Sequence, residues 1–239
     1  MSAPPAIAVL DYGPGNLASV VWGVQRAGGT ARIVTSAGDL TGAAAPAGLI
    51  LPGVGSFGPP AQALTGPLGD AVRAVAGAGR PILGICLGMQ LLFQWSEEDG
   101  RASPGLGLLD GGVRRLDGAP RLPHMGWNRV RARPEVKADG TGNSDDRDAF
   151  DAGGGAAGTA DCTVAFLGPE DIDARYFYFA HSYVAFPRDG RTVLGEVEYG
   201  EVFPAVVGRG NVAGVQFHPE RSGAAGRAIL ERFVTACSR

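Results

Sequence analysis

The sequence predicts an α/β protein with an open, mostly parallel or mixed central sheet flanked by helices. Short apolar runs that end at Asp, Gly or Pro alternate with segments of helical periodicity through residues 7–95. Such alternation is typical of a parallel sheet covered by helices on both faces. The chain has 239 residues, which suits one such domain, so we expect residues 1–239 to form a single domain.

The first half supplies these elements in order. Ile7–Leu10 is an apolar run that suits a buried strand. Asn16 is predicted to cap a helix over Leu17–Ala27, and Gly28-Gly29 to end it. The other elements expected here are strands at Ala31–Val34, Gly48–Leu51 and Pro81–Ile85, and helices at Leu68–Ala78 and Leu87–Trp95.

The second half predicts further strands and a closing helix. The strands are expected at Gly112–Leu116, Gly126–Arg133, Tyr176–Ala180, Val193–Val197 and Val212–Phe217, and the helix at Ala224–Cys237. The span from Pro134 to Arg175 differs, because it holds ten acidic residues against three basic ones and a run of glycines. Such a composition buries too little apolar surface to offset its ordering entropy. We therefore expect residues of about 137–162 to form a mobile surface insertion.

Composition excludes several classes of protein. A net charge of −3 gives no electrostatic reason to expect binding to nucleic acid or to a membrane surface. No segment approaches the ~20 apolar residues of a membrane span, and the start resembles no secretion signal. Cys86, Cys162 and Cys237 lie far apart and form no CxxC pair, which argues against disulfides or a zinc site. We expect a cytoplasmic protein that binds no metal.

Cys86 occupies a motif that suits a nucleophile. The segment Gly84-Ile85-Cys86-Leu87-Gly88 joins a predicted strand to a predicted helix, which is the layout of a nucleophile elbow with Cys in place of Ser. At a helix start the dipole favours the thiolate, which is the reactive form of cysteine. Taken alone, the motif also fits a small buried core cysteine.

A second motif offers a base for that nucleophile. In His218-Pro219-Glu220, two side chains two residues apart follow a predicted strand and can point into the same crevice. The carboxylate would orient the imidazole, and the imidazole would accept the thiol proton. The alternatives are a chance surface HxE, or a zinc site that lacks further ligands at suitable spacing. The N–H of Leu87 and the Pro52–Gly55 turn are candidate oxyanion donors.

Two glycine patterns suggest a dinucleotide cofactor but do not support one. Residues 53–58 fit GxGxxG and residues 13–18 fit GxGxxA, each after a predicted strand. A chain with 39 glycines produces such matches easily. Pro14 lacks the N–H that a phosphate cradle needs, and no acidic residue closes the second strand. We therefore expect no cofactor.

Several segments together resemble a known family. They are Asp11–Asn16 (DYGPGN), Leu51–Gly58 (LPGVGSFG), Gly84–Phe93 (GICLGMQLLF), Arg121–Asn128 (RLPHMGWN), Tyr176–Tyr183 (YFYFAHSY) and Gly214–Glu220 (GVQFHPE). In this order they resemble the class I glutamine amidotransferases, which use a Cys–His–Glu triad. They are most similar to the glutaminase subunits of imidazole glycerol phosphate synthase from histidine biosynthesis. The acidic insertion is the main departure from that pattern.

The resemblance implies a role for individual residues. Cys86 would be the nucleophile, His218 the base and Glu220 the carboxylate that orients it. Backbone at Gly53, Val54 and Leu87 would bind the oxyanion, and side chains of Gln90, Glu98 and Ser182 would contact glutamine. Glutamine would be hydrolysed through a cysteine thioester to glutamate and ammonia.

The resemblance also implies a partner. Family subunits form a heterodimer with a (β/α)₈-barrel cyclase, which receives the ammonia and makes imidazole glycerol phosphate and aminoimidazole carboxamide ribonucleotide. The candidate interface residues here are Asn16, His124, Met125, Trp127, Asn128, His181 and Tyr183. His124 and His181 are also possible bases in principle, although a structural or interface role is favoured.

Two other functions stay open at this point. One is a glutaminase that serves another ammonia-using synthase, such as pyridoxal phosphate synthase, although PGVG stands here in place of that family's GGES-type turn. The other is a non-catalytic regulatory subunit of the same fold, against which the complete set of Cys86, His218 and Glu220 argues.

Overall fold

The computed structural model describes residues 3–13, 15–98, 100, 102–133 and 164–239. The expected insertion at about 137–162, with Cys162, lies outside them. The strands in these ranges are β1 (Ala6–Leu10), β2 (Thr30–Val34), β3 (Gly48–Leu51), β4 (Ile82–Ile85), β5 (Trp95–Ser96), β6 (Ser103–Pro104), β7 (Gly111–Arg115), β8 (His124–Arg129), β9 (Arg131–Ala132), β10 (Tyr176–His181), β11 (Tyr183–Pro187), β12 (Val193–Tyr199), β13 (Glu201–Arg209) and β14 (Val212–Val215). The helices are α1 (Leu17–Arg26), α2 (Gly58–Ala63), α3 (Pro67–Gly77), α4 (Leu87–Leu91), α5 (Pro169–Ile172) and α6 (Gly223–Ala236).

The main sheet is mixed, as the sequence predicts. Among the described residues it has the order β2-β1-β3-β4-β14-β13-β12-β9. The first five strands in that order pair in parallel, and the last three join by antiparallel pairing. Two smaller sheets, β10-β8 and β11-β7-β5-β6, complete the described strands.

Both faces of the parallel part are buried. Ile7 and Val9 of β1 belong to a core cluster that includes side chains of α1 and α6. Ala8 and Leu10 point to the opposite face and belong to a second cluster, which includes side chains of α3. Strand side chains alternate between the two faces, so a continuous apolar run is what a doubly covered strand requires.

The parallel arrangement fixes where a site can form. The carboxyl ends of β1, β3, β4 and β14 lie at the same edge of the sheet, and open α/β sheets bind ligands outside that edge. Cys86 follows β4, His218 lies just beyond β14, and the Pro52–Gly55 turn follows β3. Three distant parts of the chain therefore converge at one edge.

The structure corrects the expected helix over Leu87–Trp95. Helix α4 ends at Leu91, and Trp95–Ser96 forms strand β5. The carbonyl of Leu91 accepts the N–H of Leu106, and the carbonyl of Leu92 accepts that of Leu108. The segment that follows β6 therefore satisfies carbonyls past the end of α4, and tertiary hydrogen bonds end the helix early.

Other differences lie in the antiparallel strands. The expected strand at Gly126–Arg133 is two strands, β8 and β9. The expectation also omitted β6, β11, β13 and the short helices α2 and α5. β13 contains Pro204, which normally argues against an interior strand because proline donates no ladder hydrogen bond. Pro204 pairs with Glu196 next to a register shift in β12, and this irregularity accommodates it.

No helix among the described residues is long and apolar enough to cross a membrane.

Candidate active site

The turn at Cys86 is a strained strand-to-helix elbow. Cys86 has φ +51° and ψ −107°, and Ala174 is the only other non-glycine residue with positive φ in the described part of the chain. The glycines around it are required by close packing. A Cβ at Gly84 would lie 2.6 Å from the carbonyl oxygen of Gly88, and one at Gly88 would collide with the carbonyl oxygen of Leu51. Strain of this kind persists where the surroundings enforce it.

His218 and Glu220 form a buried pair beyond β14. Nδ1 of His218 lies 2.9 Å from Oε1 of Glu220, and their side chains are 6 % and 2 % exposed. The short 3₁₀ turn Pro219–Arg221 brings the carboxylate back toward the ring. Within the described residues, Oε2 of Glu220 is buried without a hydrogen-bond partner. Glu220 therefore commits its one hydrogen bond to orienting the imidazole.

The imidazole also reaches the nucleophile. The Cys86 side chain lies close enough to His218 to affect the charge state of the imidazole. Because Glu220 binds Nδ1, Nε2 is the ring nitrogen that is left to exchange a proton with Cys86. Burial acts to lower the pKa of His218, but hydrogen bonds with Cys86 and Glu220, and the charges of both, outweigh it and raise the pKa to about 10. A protonated imidazole next to a cysteine favours the thiolate.

Strand β10 supports both reacting side chains through its backbone. The carbonyl of Tyr178 accepts the N–H of His218 at 2.9 Å. The carbonyl oxygen of Ala180 lies 3.8 Å from the Cys86 sulfur, and Nε2 of Gln216 lies 3.6 Å from the same sulfur. The sequence analysis missed Gln216, although a polar residue within the apolar run before His218 was the available signal.

The glycine turn after β3 packs against the elbow. A Cβ at Gly53 would lie 2.9 Å from Cβ of Leu87, so the turn approaches the start of α4 closely. The Leu87 N–H has no acceptor within the helix, because it belongs to the first turn. The buried Tyr12 hydroxyl donates to the carbonyl of Pro52, and burial and then the charge of Cys86 raise the pKa of Tyr12. Sequence reasoning missed Tyr12. The oxyanion role of Gly53, Val54 and Leu87 stays a prediction.

The predicted glutamine-binding side chains have partners within the protein. Oε2 of Glu98 accepts the N–H of Phe57 at 2.8 Å, which ties Glu98 to the glycine turn. Nε2 of buried Gln90 donates to the carbonyl of Tyr183 at 2.8 Å and to Oε1 of Gln216 at 3.1 Å. Ser182 lies between β10 and β11 and is half-buried. Contact of these residues with glutamine stays a prediction.

His124 and His181 lie in the core and not on a surface. Nδ1 of His124 is 3.0 Å from Nε2 of His181, and Nδ1 of His181 is 3.0 Å from the carbonyl of Tyr183. Burial lowers the pKa of His124 to about 4, and burial and then the charge of His124 lower that of His181 to about 3. Both rings are buried, so the structure favours the structural one of the two roles that the sequence left open.

The other interface candidates lie nearer the surface. Met125 and Trp127 alternate with less exposed positions along β8 and are 65 % and 57 % exposed. Asn128 and Tyr183 are half-buried, and Asn128 donates to the carbonyl of Glu198 at 3.1 Å. Asn16 is exposed at the start of α1, but its side chain makes no capping hydrogen bond, so the predicted cap is not formed.

The arrangement suits acyl transfer at a thiol. The described residues contain no cluster of three or more His, Cys, Asp or Glu side chains suited to a metal ion. The glycine turn over residues 53–58 packs against the elbow and leads only to the six-residue helix α2. A nucleophile, a base with its orienting carboxylate and nearby backbone donors meet at one sheet edge.

Comparison with known families agrees with that class of site. The family model described as glutamine amidotransferase class-I matches residues 8–237. Solved structures share the fold: PurLQS from Thermotoga maritima matches with a TM-score of 0.66 at 19 % identity, covering 97 % of this chain and 98 % of that one. The glutaminase domain of Trypanosoma brucei CTPS with bound acivicin matches with a TM-score of 0.62 at 15 % identity, covering 98 % and 94 %. Fold and site together define a class I glutamine amidotransferase.

Curated relatives narrow the family further. The imidazole glycerol phosphate synthase subunit HisH of Halobacterium salinarum is 42 % identical, covering 98 % of this chain and 94 % of that one. The HisH subunit of Geobacillus thermodenitrificans is 44 % identical, covering 95 % and 94 %. The chain belongs to the HisH family of class I glutamine amidotransferases.

Proposed function

We propose that this chain hydrolyses glutamine and delivers the ammonia to a (β/α)₈-barrel cyclase, as the glutaminase subunit of imidazole glycerol phosphate synthase in histidine biosynthesis. The observation that carries the proposal is the convergence of Cys86, His218 and Glu220 at one sheet edge in a chain of the HisH family. We place this activity in the cytoplasm.

The first half of the reaction forms a thioester. The Cys86 sulfur attacks the side-chain amide carbon of glutamine, and the carbonyl oxygen becomes an oxyanion. N–H groups of Leu87 and of the Gly53–Val54 turn stabilise that charge. Protonated His218 gives its proton to the amide nitrogen, the carbon–nitrogen bond breaks and ammonia leaves.

The second half returns the enzyme to its starting state. His218, now neutral, accepts a proton from water as the water oxygen attacks the thioester carbon. The carbon–sulfur bond breaks, the new carboxyl group gives its remaining proton to solvent, glutamate leaves, and Cys86 regains its thiolate beside protonated His218. Glu220 keeps Nδ1 of His218 protonated throughout, so Nε2 is the nitrogen that exchanges the proton.

The partner follows from the chemistry of ammonia and from an exposed surface. Ammonia is mostly protonated at neutral pH, and ammonium is not a nucleophile, so release into a closed path preserves its reactivity. Met125 and Trp127 expose apolar area on β8, and exposed aromatic and methionine side chains are typical of protein interfaces. Trp127 pairs with Tyr178 and Met125 with Ala180, the two β10 residues whose carbonyls contact His218 and Cys86.

This pairing supports a cyclase that docks on β8 and acts on the triad through β10. We expect low glutamate release by the chain alone and a strong increase with the cyclase and its nucleotide. The test is to co-purify the two chains and to measure glutamate release with and without nucleotide. A rate that neither the cyclase nor the nucleotide changes would contradict the proposed coupling.

A further inference from the structure

Gln216 is a buried polar residue next to the nucleophile that the proposed reaction steps leave without a role. It follows β14, its side chain is fully buried, and its Nε2 lies 3.6 Å from the Cys86 sulfur. Its backbone N–H donates to the carbonyl of Ala205, so the main chain is held on the sheet as well. A buried amide is stable only when its hydrogen bonds are satisfied, which makes its orientation informative.

The hydrogen bonds around Gln216 fix which end of its amide faces the sulfur. The series of hydrogen bonds starts at the backbone carbonyl of Tyr183, which can accept hydrogen bonds but cannot donate them. It accepts from Nδ1 of His181 at 3.0 Å and from Nε2 of Gln90 at 2.8 Å. The nitrogen end of Gln90 must therefore face Tyr183, and its second N–H points at Oε1 of Gln216, 3.1 Å away.

Because Oε1 of Gln216 must accept this hydrogen bond, the side-chain amide of Gln216 can have only one orientation. Because Oε1 of Gln216 receives the Gln90 hydrogen, its Nε2 is the atom directed at Cys86. The same logic extends outward: His181 accepts from His124, and Nε2 of His124 lies 3.4 Å from the Asn128 amide nitrogen, which also donates to Glu198. The orientations of these side-chain amides and imidazole rings are thus set by backbone carbonyls, which accept hydrogen bonds but cannot donate them.

We propose that Gln216 is a positioning residue that donates a hydrogen bond to the Cys86 sulfur, and that Gln90, held by the Tyr183 carbonyl, keeps the donor end of Gln216 turned toward it. The proposal deepens the proposed function, because it rests on Cys86 as the nucleophile. With the bond from Gln216 and the contact with His218, the thiolate has donors from two sides.

The chemical consequence is specific to the charged sulfur. A hydrogen bond to an ionised group is stronger than one between neutral groups, so the amide favours thiolate over thiol. It also restrains the sulfur in the direction from which it attacks the substrate. Loss of the donor alone is therefore expected to lower the reactivity of Cys86 and the kcat for glutamine, with little effect on KM.

Gln216→Glu separates the donor from the structural role. A carboxylate oxygen still accepts from Gln90, but the oxygen next to the sulfur carries no hydrogen when ionised. Gln216→Met removes the donor without adding charge. Gln94→Leu is the matched control, because Gln94 also donates a side-chain hydrogen bond, to Asp110 at 3.1 Å, outside the site.

Two readouts are measured on each folded variant, with melting temperature as the check of folding. The first is the rate at which iodoacetamide alkylates Cys86 across a range of pH, with a Cys86→Ala protein as background. Burial raises the pKa of Cys237 to about 12, so that thiol contributes little. The second is kcat and KM for glutamine in the complex with the cyclase.

We expect both Gln216 variants to alkylate about 10- to 100-fold more slowly near neutral pH, with the pH profile shifted to higher pH and kcat reduced by a similar factor. The KM of Gln216→Glu should stay within about twofold of wild type, and Gln94→Leu should match wild type throughout.

An unchanged alkylation profile in a folded Gln216→Met protein would overturn the proposal, even if kcat fell, because it would leave Gln216 a structural residue only. If Gln216→Glu does not fold, Gln216→Met decides alone. If Gln216→Met does not fold, Gln216→Glu decides by the same criterion. A wild-type complex that releases no glutamate would instead contradict the proposed function, and alkylation would still test the hydrogen bond.

Discussion

Nδ1 of His218 is bound at 2.9 Å by Oε1 of Glu220, whose second carboxylate oxygen is buried without a hydrogen-bond partner in the described part of the chain. The one hydrogen bond of the Glu220 carboxylate thus holds the imidazole of His218 in place. Its buried negative charge is balanced best when His218 is protonated, in agreement with the raised pKa of that ring.

Glu220→Gln should therefore impair catalysis although a side chain of the same size stays in place. The amide keeps the shape but can donate to Nδ1, which would force the proton onto Nε2 and leave the ring unable to accept one from Cys86. We expect kcat to fall roughly 100- to 10,000-fold with a small change in KM. Steady-state kinetics of the complex checks this, and a kcat within a factor of three of wild type would argue against the orienting role.

The elbow glycines predict a sharp difference between two Gly→Ala substitutions. Gly88→Ala places a Cβ against the carbonyl of Leu51 and should destabilise the fold by about 2–3 kcal/mol, with loss of glutaminase activity. Gly77→Ala, at the exposed end of α3, meets no atom within 4 Å and should be neutral or stabilising by up to about 1 kcal/mol. Urea unfolding of both variants measures the difference. Equal stabilities would contradict the close approach at the elbow.

The buried histidine pair predicts acid sensitivity. The folded-state pKa values of His124 and His181, about 4 and about 3, lie below the unfolded value of 6.5. The unfolded chain therefore binds more protons as pH falls from 6.5 toward 4. Stability is fully present above 6.5 and is lost below it, with a slope of up to about 1.4 kcal/mol per pH unit for each ring.

A His181→Asn variant tests the source of that slope. It should be less stable than wild type at neutral pH, because it breaks the hydrogen bonds to His124 and to the Tyr183 carbonyl. Its stability should nevertheless fall less steeply between pH 6.5 and about 4, since it carries one titrating ring fewer. Identical slopes in the two proteins would exclude His181 as a source of the acid lability.

Trp127→Ala tests the docking surface on β8. A large exposed aromatic at the centre of an interface commonly contributes about 2–4 kcal/mol, so we expect affinity for the cyclase to fall roughly 30- to 1,000-fold. Ile33→Ala is the control, because Ile33 is 51 % exposed on β2, an edge strand of the main sheet, to which β8 does not belong. Calorimetric titration measures both. Similar affinities for the two variants would place the interface elsewhere.

The features that could be predicted from the sequence are those whose interacting residues lie close together along the chain. The elbow at Cys86 and the His218–Glu220 pair were predictable because glycine spacing and a two-residue separation encode them locally. The parallel half of the sheet followed from apolar runs with clear stop signals at Gly and Pro. Strand β13 was not predictable, because Pro204 argues against an interior strand and only the register shift opposite it resolves the conflict.

The hydrogen-bond chain behind the nucleophile was beyond sequence reasoning for a different reason. His124 and His181 are 57 residues apart, and Gln90 and Gln216 are 126 apart. Nothing local distinguishes a buried, satisfied histidine from one on an interface, so the sequence leaves both roles open for these rings. Helix α4 was predicted too long because the hydrogen bonds that end it come from residues 105–109.

The most direct test of the account is Cys86→Ala in the complex with the cyclase, assayed for nucleotide product with either glutamine or ammonium salt as the nitrogen source. The account predicts that glutamine-dependent synthesis is abolished while ammonia-dependent synthesis keeps the wild-type rate. Glutamine-dependent synthesis that survives the substitution, with the ammonia-dependent rate unaltered, would show that Cys86 is not the nucleophile.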